Sequence, residues 1–432
     1  MSTINAQATE LNETISAAHP QVLDMLSARG QSIFFPAKGI LGQSAEAKGK
    51  EINATIGTAL EDDGSPLALS CVKELVDVDP AVGILYAPSY GNPTLRDTWK
   101  SMMEKKNPSL AGKSFGRPVV TQALTHALSI AGYLFLDEGE EIIMPDLYWG
   151  NYNLIFKEHY RAGIRTFNTF TDGGFDMAAL EEAVNAGSPG NKVLLLNFPN
   201  NPTGYTLTNE EVATLKETLL KAAEAGNKLT VLIDDAYFGL VYQDGVYLES
   251  IFVDLVDLHE NILAVKLDGP TKEDYVWGFR VGFITYGIKG GTKELYTALE
   301  AKTAGAIRGN ISNAPAISQA VLLKAFTHPE YDAQKREKFD TLKARCVKLT
   351  AILQAHPEYA DAFEALPFNS GYFMCVRLKG ADPEAVRQVL LKDYSTGLIA
   401  ASGLLRVAFS STPIDKLESL FSNLYKAICS LK

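Results

Sequence analysis

The chain has 432 residues, of which 46% are hydrophobic and 21% charged, a composition typical of a folded protein of two domains rather than a disordered one. Its 40 basic and 51 acidic residues give a formal net charge of −11, which argues against nucleic acid and anionic membranes as partners. No stretch approaches the roughly 18 apolar residues of a membrane span, and the N-terminal segment has no apolar signal-peptide core, so we expect a cytoplasmic protein.

Short apolar runs in the middle of the chain are predicted to be buried strands. They are RPVVT (117–121), EEIIM (140–144), GIRTF (163–167), KVLLL (192–196), LTVLI (229–233), NILAV (261–265) and VGFIT (281–285). Helical patterns lie between several of them, for example at 125–136 and at 209–226, where Gly226 stands at the expected end of the helix. The alternation predicts an α/β fold with a mostly parallel seven-stranded sheet covered by helices. Such sheets bind ligands at the carboxyl ends of their strands.

The pattern changes after about residue 290. Helices predicted at 293–305, 315–327 and 333–355 precede the strand-like segments GYFMCVRLKG and LLRVAF, which indicates a smaller α+β domain. We predict a large domain at 60–324 and a small domain at 325–432, joined by an N-terminal segment at 1–59. Within that segment, KGILGQSAEAKGK (38–50) is predicted to be a surface loop.

Four polar motifs follow predicted strands. They are TQALTHAL (121–128), NNPTG (200–204), IDDAY (233–237) and DGPTKEDYVWGFR (268–280). Each has a simpler interpretation on its own. NNPTG could be only a turn, the acid pair could be solvated or cap a helix, and Lys272 and Arg280 could be surface cations. All four nevertheless fall at carboxyl ends of strands, which favours one shared binding site.

Together these motifs resemble those of the fold-type I pyridoxal-phosphate aminotransferases, especially the aspartate and aromatic branch. The resemblance extends from INATIG (52–57) to RVAFSSTP (406–413) and rests on N-P-T-G, then D-x-A-Y, then Lys272 with Arg280 eight residues later. It implies pyridoxal 5'-phosphate as cofactor and a ping-pong transfer of an amino group from an L-amino acid, aspartate, glutamate or aromatic, to a 2-oxo acid such as 2-oxoglutarate. Another pyridoxal-phosphate reaction on the same fold, a β-lyase or a decarboxylase, or a non-catalytic regulator, remains an alternative.

The resemblance also implies a role for individual residues. Lys272 corresponds to the lysine that forms the Schiff base, and Asp234 to the carboxylate that pairs with the pyridine nitrogen. Asp235 is expected to point the other way and to be structural. Tyr237 and Asn201 correspond to the pair that hydrogen-bonds the phenolic oxygen of the cofactor.

The phosphate of the cofactor is expected at a helix N-terminus. The residues implied are Ala123, Leu124, Thr125, Thr271 and Arg280, with Tyr86 reaching in from a partner subunit. Two departures stand out, since Gly269 replaces a common phosphate-binding serine and Ala123 replaces the usual glycine.

Above the ring, Trp149 corresponds to the stacking residue and Tyr148 is its rival. Tyr152 stands where that branch has a histidine behind the aspartate.

Substrate contacts are implied for three further residues. Arg406 corresponds to the arginine that binds the α-carboxylate, and Gly57 is a candidate at the same site. Arg308 corresponds to the arginine for the second carboxylate, which comes from the partner subunit, so a homodimer with shared active sites is expected. The chain's six histidines and four cysteines show no metal-ligand spacing, and no metal site is predicted.

Overall fold

The computed structural model describes residues 4–36, 39–75 and 77–432. The strands in this part of the chain are β1 (Ile52–Asn53), β2 (Val119–Thr121), β3 (Glu141–Pro145), β4 (Gly163–Phe167), β5 (Phe170–Thr171), β6 (Gly174–Phe175), β7 (Asn191–Asn197), β8 (Lys228–Asp234), β9 (Ile262–Asp268), β10 (Gly282–Gly287), β11 (Phe363–Ala365), β12 (Phe373–Leu378), β13 (Thr396–Gly397), β14 (Ile399–Ala401) and β15 (Leu404–Ala408).

The α-helices are α1 (Ala6–Ala18), α2 (Pro20–Met25), α3 (Ala28–Ser32), α4 (Ile40–Glu46), α5 (Ser70–Glu74), α6 (Pro80–Gly83), α7 (Pro93–Lys106), α8 (Ala123–Phe135), α9 (Met177–Asn185), α10 (Asn209–Glu224), α11 (Phe252–Leu255), α12 (Pro270–Glu273), α13 (Lys293–Asn310), α14 (Ala316–Phe326), α15 (Tyr331–Ala355), α16 (Pro383–Asp393) and α17 (Leu417–Cys429). A π-helix spans Asn153–His159, and short 3-10 turns occupy Pro108–Leu110, Trp277–Phe279, Pro357–Asp361, Phe409–Ser411 and Ile414–Lys416.

The predicted seven-stranded sheet is confirmed, with the strand order β2-β10-β9-β8-β7-β3-β4. Neighbouring strands from β9 to β4 pair in parallel, whereas β10 runs antiparallel to both β9 and β2. In the register of β7 with β8, Asn197 lies opposite Asp234, so the residues that follow these two strands start at the same edge of the sheet.

Continuous apolar runs form these strands because both faces of the sheet are covered. In β7, Leu194 and Leu196 pack into one hydrophobic cluster, and Val193 and Leu195 pack into the cluster on the opposite face.

Helix α10 packs with α9 beside this sheet and has clear end signals. Its N-cap, Thr208, accepts from the backbone N–H of Glu211, whose carboxylate accepts from the backbone N–H of Thr208. Past its C-terminus, Gly226 has φ +94°, a conformation that favours glycine.

The C-terminal part of the chain forms a second sheet, in which β11, β12, β15 and β14 pair antiparallel in that order. Strand β1 pairs in parallel with β13, with Ile52 opposite Thr396. This arrangement agrees with the predicted α+β character of the second unit. The exact domain boundaries stay a prediction.

The prediction of a surface loop at 38–50 is wrong for its central part, which forms α4; residue 38 lies outside the described residues. The Gln43 side chain donates to the Ala400 carbonyl at 2.9 Å and accepts from the Ala400 N–H at 2.7 Å. These bonds satisfy backbone groups of the edge strand β14 and stabilise α4 against it. Because β14 is distant in the chain, the local polar pattern does not reveal this helix.

Candidate active site

A cavity of about 970 Å³ lies where the carboxyl ends of the parallel strands meet the second sheet. It is lined by most of the residues expected from the sequence: Gly57, Ala123, Leu124, Thr125, Trp149, Asn201, Asp234, Tyr237, Thr271, Lys272, Arg280 and Arg406. Tyr86 and Arg308 do not line it. The structure therefore brings together side chains from positions 57 to 406 at one place.

Lys272 lies on the short helix α12, directly after β9, and its amine points into the cavity. The amine donates to the Gly57 carbonyl oxygen at 3.3 Å and lies 5.2 Å from the centre of the Tyr237 ring. Burial, followed by the positive charges of Arg280 and Arg406, lowers the pKa of Lys272 to about 8. About a tenth of this lysine is thus uncharged at pH 7 and able to act as a nucleophile, far more than at the ordinary pKa of 10.5.

Asp234 ends β8 and is buried, with 3% of its surface exposed. Its carboxylate accepts two hydrogen bonds, from the Tyr152 hydroxyl at 2.6 Å and from the Ala236 N–H at 3.0 Å. Burial raises the pKa of Asp234 to about 6, and the Tyr152 bond is the largest opposing contribution. The carboxylate is held in one orientation toward the cavity.

The neighbouring acid, Asp235, faces away from the cavity, as expected from the alternation of side chains. Its carboxylate forms a buried ion pair with Lys266 and accepts from the Ser250 hydroxyl at 2.6 Å. Lys266 also lies 3.3 Å from Asp268. Asp235 is therefore committed to packing between strands, and Asp234 alone of the two faces the cavity.

The corner NNPTG is fixed by hydrogen bonds between its amides and the strands that precede it. The Asn197 side chain donates to the Asp234 carbonyl at 2.7 Å and accepts from the Asn201 N–H at 2.8 Å. The Asn200 side chain accepts from both the N–H and the hydroxyl of Thr203. The amides thus hold Asn201 beside the end of β8, which explains why the turn is rich in asparagine.

Gly204 is required at the end of this corner. It has φ +73°, and a Cβ placed there would lie 1.9 Å from the Phe373 carbonyl oxygen. Any other residue would push the corner away from β12.

At the start of α8, Ala123 has φ +61°, and the N-cap residue Gln122 makes no side-chain capping bond to the first turn. The hydroxyl of Thr271 is buried without a partner. Arg280 lies at the same place with its guanidinium bonded to the Trp277 carbonyl at 3.3 Å. Free helix N–H groups, an unpartnered hydroxyl and a cation form a donor set that fits a phosphate group.

Arg406 on β15 is buried and lines the same cavity. Its guanidinium lies 4.2 Å from the centre of the Phe373 ring and donates to the Asn201 side chain at 3.4 Å and the Thr55 carbonyl at 3.3 Å. Its Nε atom is buried and has no partner. Burying a guanidinium with incomplete hydrogen bonding is costly, so this arginine fits a site that receives an anionic ligand.

An aromatic wall of Tyr148, Trp149 and Tyr152 bounds the cavity beside Asp234. The rings of Trp149 and Tyr152 meet edge to face with centroids 5.6 Å apart, and Tyr148 stacks on Tyr152 at 6.2 Å. The π-helix starts directly after this wall, a placement often seen at functional sites. Both Trp149 and Tyr148 remain positioned to cover a planar ligand.

The N-terminal residues that close the cavity are not among those predicted from the sequence. These are Asn5, Gln7, Phe34 and Pro36, together with residues of α4 and its N-cap: Gly39, Ile40, Leu41, Gln43 and Ser44. The signal available was the apolar run IFFP (33–36) in an otherwise polar segment, in which Phe34 is half-buried.

Tyr86 and Arg308 lie on the surface of the single chain. Tyr86 is 92% exposed, and it follows the exposed apolar residues Ile84 and Leu85. Arg308, in the last turn of α13, donates to the Ser312 hydroxyl at 2.8 Å. Neither side chain reaches the cavity of its own chain.

Two classes of site are absent from the described residues. None of their helices is long and apolar enough to cross a membrane. No cluster of three or more histidine, cysteine, aspartate or glutamate side chains in this part of the chain could hold a metal ion.

Comparison with known proteins agrees with this geometry. The sequence profile of the family described as aminotransferase class I and II matches residues 52–424. An aspartate aminotransferase of Geobacillus stearothermophilus is 25% identical over 355 residues, covering 79% of this chain and 83% of the relative. A probable N-acetyl-LL-diaminopimelate aminotransferase of Bacillus subtilis is 28% identical over 344 residues, covering 77% of this chain and 80% of the relative.

Solved structures show the same fold. An aminotransferase from Anaerococcus prevotii superposes with a TM-score of 0.81 and 25% identity, covering 93% of this chain and 98% of that one.

Proposed function

The chain belongs to the class I and II aminotransferases and is a pyridoxal-phosphate-dependent enzyme, and from that premise we propose that it transfers the amino group of an acidic or aromatic L-amino acid to a 2-oxo acid such as 2-oxoglutarate. The observation that carries this proposal is the meeting of Lys272, Asp234 and Arg406 in one cavity. A nucleophilic amine, an oriented carboxylate and an anion-binding guanidinium are the groups this reaction needs.

When bound, the cofactor would supply an electron sink for the negative charge that develops at the substrate Cα. Lys272 would hold the cofactor, and its amine would also move the proton at the substrate Cα, because its lowered pKa leaves part of the amine uncharged. Asp234 would hold the ring nitrogen, and Asn201 and Tyr237 would donate to the phenolic oxygen. The Asn201 side-chain oxygen already accepts from Arg406, which leaves its amide nitrogen to donate.

The phosphate is assigned to the donor set at the start of α8. It comprises the N–H groups of Ala123, Leu124 and Thr125, the hydroxyl of Thr271 and the guanidinium of Arg280. Trp149 covers the ring, with Tyr148 beside it.

Arg406 binds the α-carboxylate of the substrate next to Gly57, since its Nε atom is buried and unpartnered. The second carboxylate is assigned to Arg308 of a second subunit, and the phosphate gains Tyr86 in the same way. The exposed apolar residues Ile84 and Leu85 support a homodimer, because exposed apolar side chains beside Tyr86 favour association. Free buried thiols at Cys71, Cys346 and Cys375 support a cytoplasmic location.

The direct test follows a single half-reaction. Glutamate is added to the cofactor-loaded enzyme without any 2-oxo acid, and the absorbance of the lysine-bound cofactor is recorded. We expect this absorbance to be lost in proportion to 2-oxoglutarate formed, with no ammonia and no carbon dioxide released. A decarboxylase releases carbon dioxide, whereas neither a β-lyase, for which glutamate carries no leaving group on Cβ, nor a non-catalytic regulator forms 2-oxoglutarate.

Donor preference is tested with a panel of amino acids, each paired with 2-oxoglutarate. Arg308→Ala is expected to lower kcat/KM for aspartate and to spare aromatic donors. An exposed arginine outside the site, Arg377, serves as the matched control as Arg377→Ala.

A further inference from the structure

Asp234 has a tyrosine as its side-chain partner. The Tyr152 hydroxyl donates to Asp234 Oδ2 at 2.6 Å, across 82 positions of the chain. Both residues are buried, with 1% and 3% of their surfaces exposed. The second carboxylate oxygen accepts the Ala236 N–H. Only these two donors satisfy the carboxylate among the residues described.

Some of the ionisable groups around Asp234 favour its charged form, and others disfavour it. The neighbouring carboxylate of Asp235 disfavours the charged form, and the Lys272 amine favours it. Tyr237 also faces Asp234. Burial acts against the charged form more strongly than any of these groups. The hydrogen bond that Tyr152 donates is therefore the largest contribution of any single residue to keeping this buried acid ionised.

A phenol differs from an imidazole in one respect that matters here. Burial, followed by the negative charge of Asp234, raises the pKa of Tyr152 well above its usual range. The hydroxyl therefore stays neutral and keeps its proton throughout the working pH range, whereas an imidazole can gain a charge. Tyr152 supplies a hydrogen bond without supplying charge.

The ring of Tyr152 packs among aromatic side chains while its hydroxyl bonds to Asp234. Besides Tyr148 and Trp149, it contacts Phe156 at a centroid distance of 6.0 Å. The same residue thus connects the aromatic wall of the cavity to the carboxylate at the end of β8.

We propose that Tyr152 is a positioning residue that keeps Asp234 ionised and aimed at the ring nitrogen of the cofactor, using a neutral phenol donor. This inference rests on the proposed function, in which Asp234 pairs with that nitrogen. Since an ionised Asp234 matters only when the ligand carries a ring nitrogen, the role can be separated from simple packing.

The test is the affinity of the apoprotein for two ligands. One is pyridoxal 5'-phosphate, and the other is its analogue in which a carbon replaces the ring nitrogen. The variant Tyr152→Phe keeps the ring and removes the donor. We expect its Kd for pyridoxal phosphate to rise about tenfold or more, since a hydrogen bond to a charged group is lost. Its Kd for the analogue should stay within about twofold of the parent value.

Two further variants complete the experiment. Tyr152→His returns a donor and is expected to restore most of the preference for pyridoxal phosphate over the analogue. Tyr286→Phe is the matched control, since Tyr286 is equally buried and its hydroxyl bonds only to Thr303 in the described structure. It should change neither Kd.

The outcomes that overturn the inference are specific. Equal weakening of both ligands by Tyr152→Phe assigns the residue to packing, and unchanged affinity for both denies it a role. Should the phenylalanine variant not fold, Tyr152→His decides alone: a preference close to the parent's supports the donor role, and a lost preference contradicts it. If the parent itself binds no pyridoxal phosphate, the proposed function fails instead.

Discussion

The amine of Lys272 donates to the backbone carbonyl of Gly57 at 3.3 Å, although 215 positions separate the two residues. The contact joins the N-terminal segment to helix α12, which follows β9. It also shows that the lysine is already directed into the cavity by the protein itself. The N–H groups at the start of α8 and the guanidinium groups of Arg280 and Arg406 surround the same space, so the site is positively charged before any ligand enters.

This lysine makes the apoprotein's stability depend on pH. Its pKa falls from 10.5 to about 8 on folding, so the unfolded chain binds more protons than the folded one between these values. The charged lysine lowers the free energy of unfolding by the full amount below about pH 8, and this destabilisation disappears as the pH rises toward 10.5. We expect Lys272→Met to be more stable than the parent at neutral pH, with a gap that narrows above pH 8. Denaturant unfolding of the apoproteins at several pH values measures it.

The matched control for this prediction is Lys221→Met, on the exposed side of α10. Its difference from the parent should not vary with pH. A gap for Lys272→Met that is the same at neutral and alkaline pH would show that the lysine is not destabilised by its surroundings.

Arg406 should be sensitive even to replacement by lysine. A lysine keeps a positive charge but cannot make the paired hydrogen bonds of a guanidinium. Because a hydrogen bond to a charged group contributes about 1.5–3 kcal/mol, we expect Arg406→Lys to raise KM for both substrates about tenfold to a hundredfold. Steady-state kinetics checks this, with the exposed Arg377→Lys of β12 as control. An unchanged KM would remove Arg406 from the substrate site.

The close packing around Gly269 explains why the chain departs from the family pattern, in which a serine is common at this position. A Cβ at Gly269 would lie 2.8 Å from the Val281 carbonyl oxygen and 2.9 Å from the Gly282 Cα. We therefore expect Gly269→Ser to lower the free energy of unfolding by about 1–3 kcal/mol rather than to add a phosphate contact. Gly278→Ser is the control, because nothing lies within 4 Å of a Cβ there. A serine variant that is as stable as the parent and binds the cofactor more tightly would refute this reading.

Shared active sites can be tested by subunit mixing. Lys272→Ala removes the reactive amine from one chain, and Arg308→Ala removes the distal guanidinium from the other. If Arg308 acts in the partner's site, a hybrid of the two chains has one complete site and regains dicarboxylate activity. Hybrids isolated through two different tags should show about half of the parental aspartate activity, since one of the two sites is intact. Hybrids no better than the Arg308→Ala protein would place Arg308 outside the shared site.

The strands and the meeting of polar residues at one edge of the sheet are predictable from the sequence for a physical reason. A strand covered on both faces is a short continuous apolar run, as at 193–196, and the polar residues after such strands meet at one edge of the sheet. Lys272, Asp234 and Asn201 each follow a strand of this kind, so local pattern and topology suffice to bring them together.

Other parts of the site depend on contacts between distant segments and leave no local pattern. Helix α4 is stabilised by the hydrogen bonds of its Gln43 to Ala400, a residue 357 positions away in the chain. Phe34 also lines the cavity from a segment distant in the chain from the strands that form it. The hydrogen bond of Tyr152 to Asp234 likewise leaves no local pattern, because it depends on where one aromatic and one acidic side chain point after folding.

The central claim is that Lys272 attaches pyridoxal phosphate. The loaded protein is reduced with borohydride, digested and analysed by mass spectrometry, alongside Lys272→Ala treated in the same way. We expect one phosphopyridoxyl group, located on the peptide that contains Lys272, and none on the variant. An unmodified Lys272 peptide, or the group on another lysine, would contradict the account.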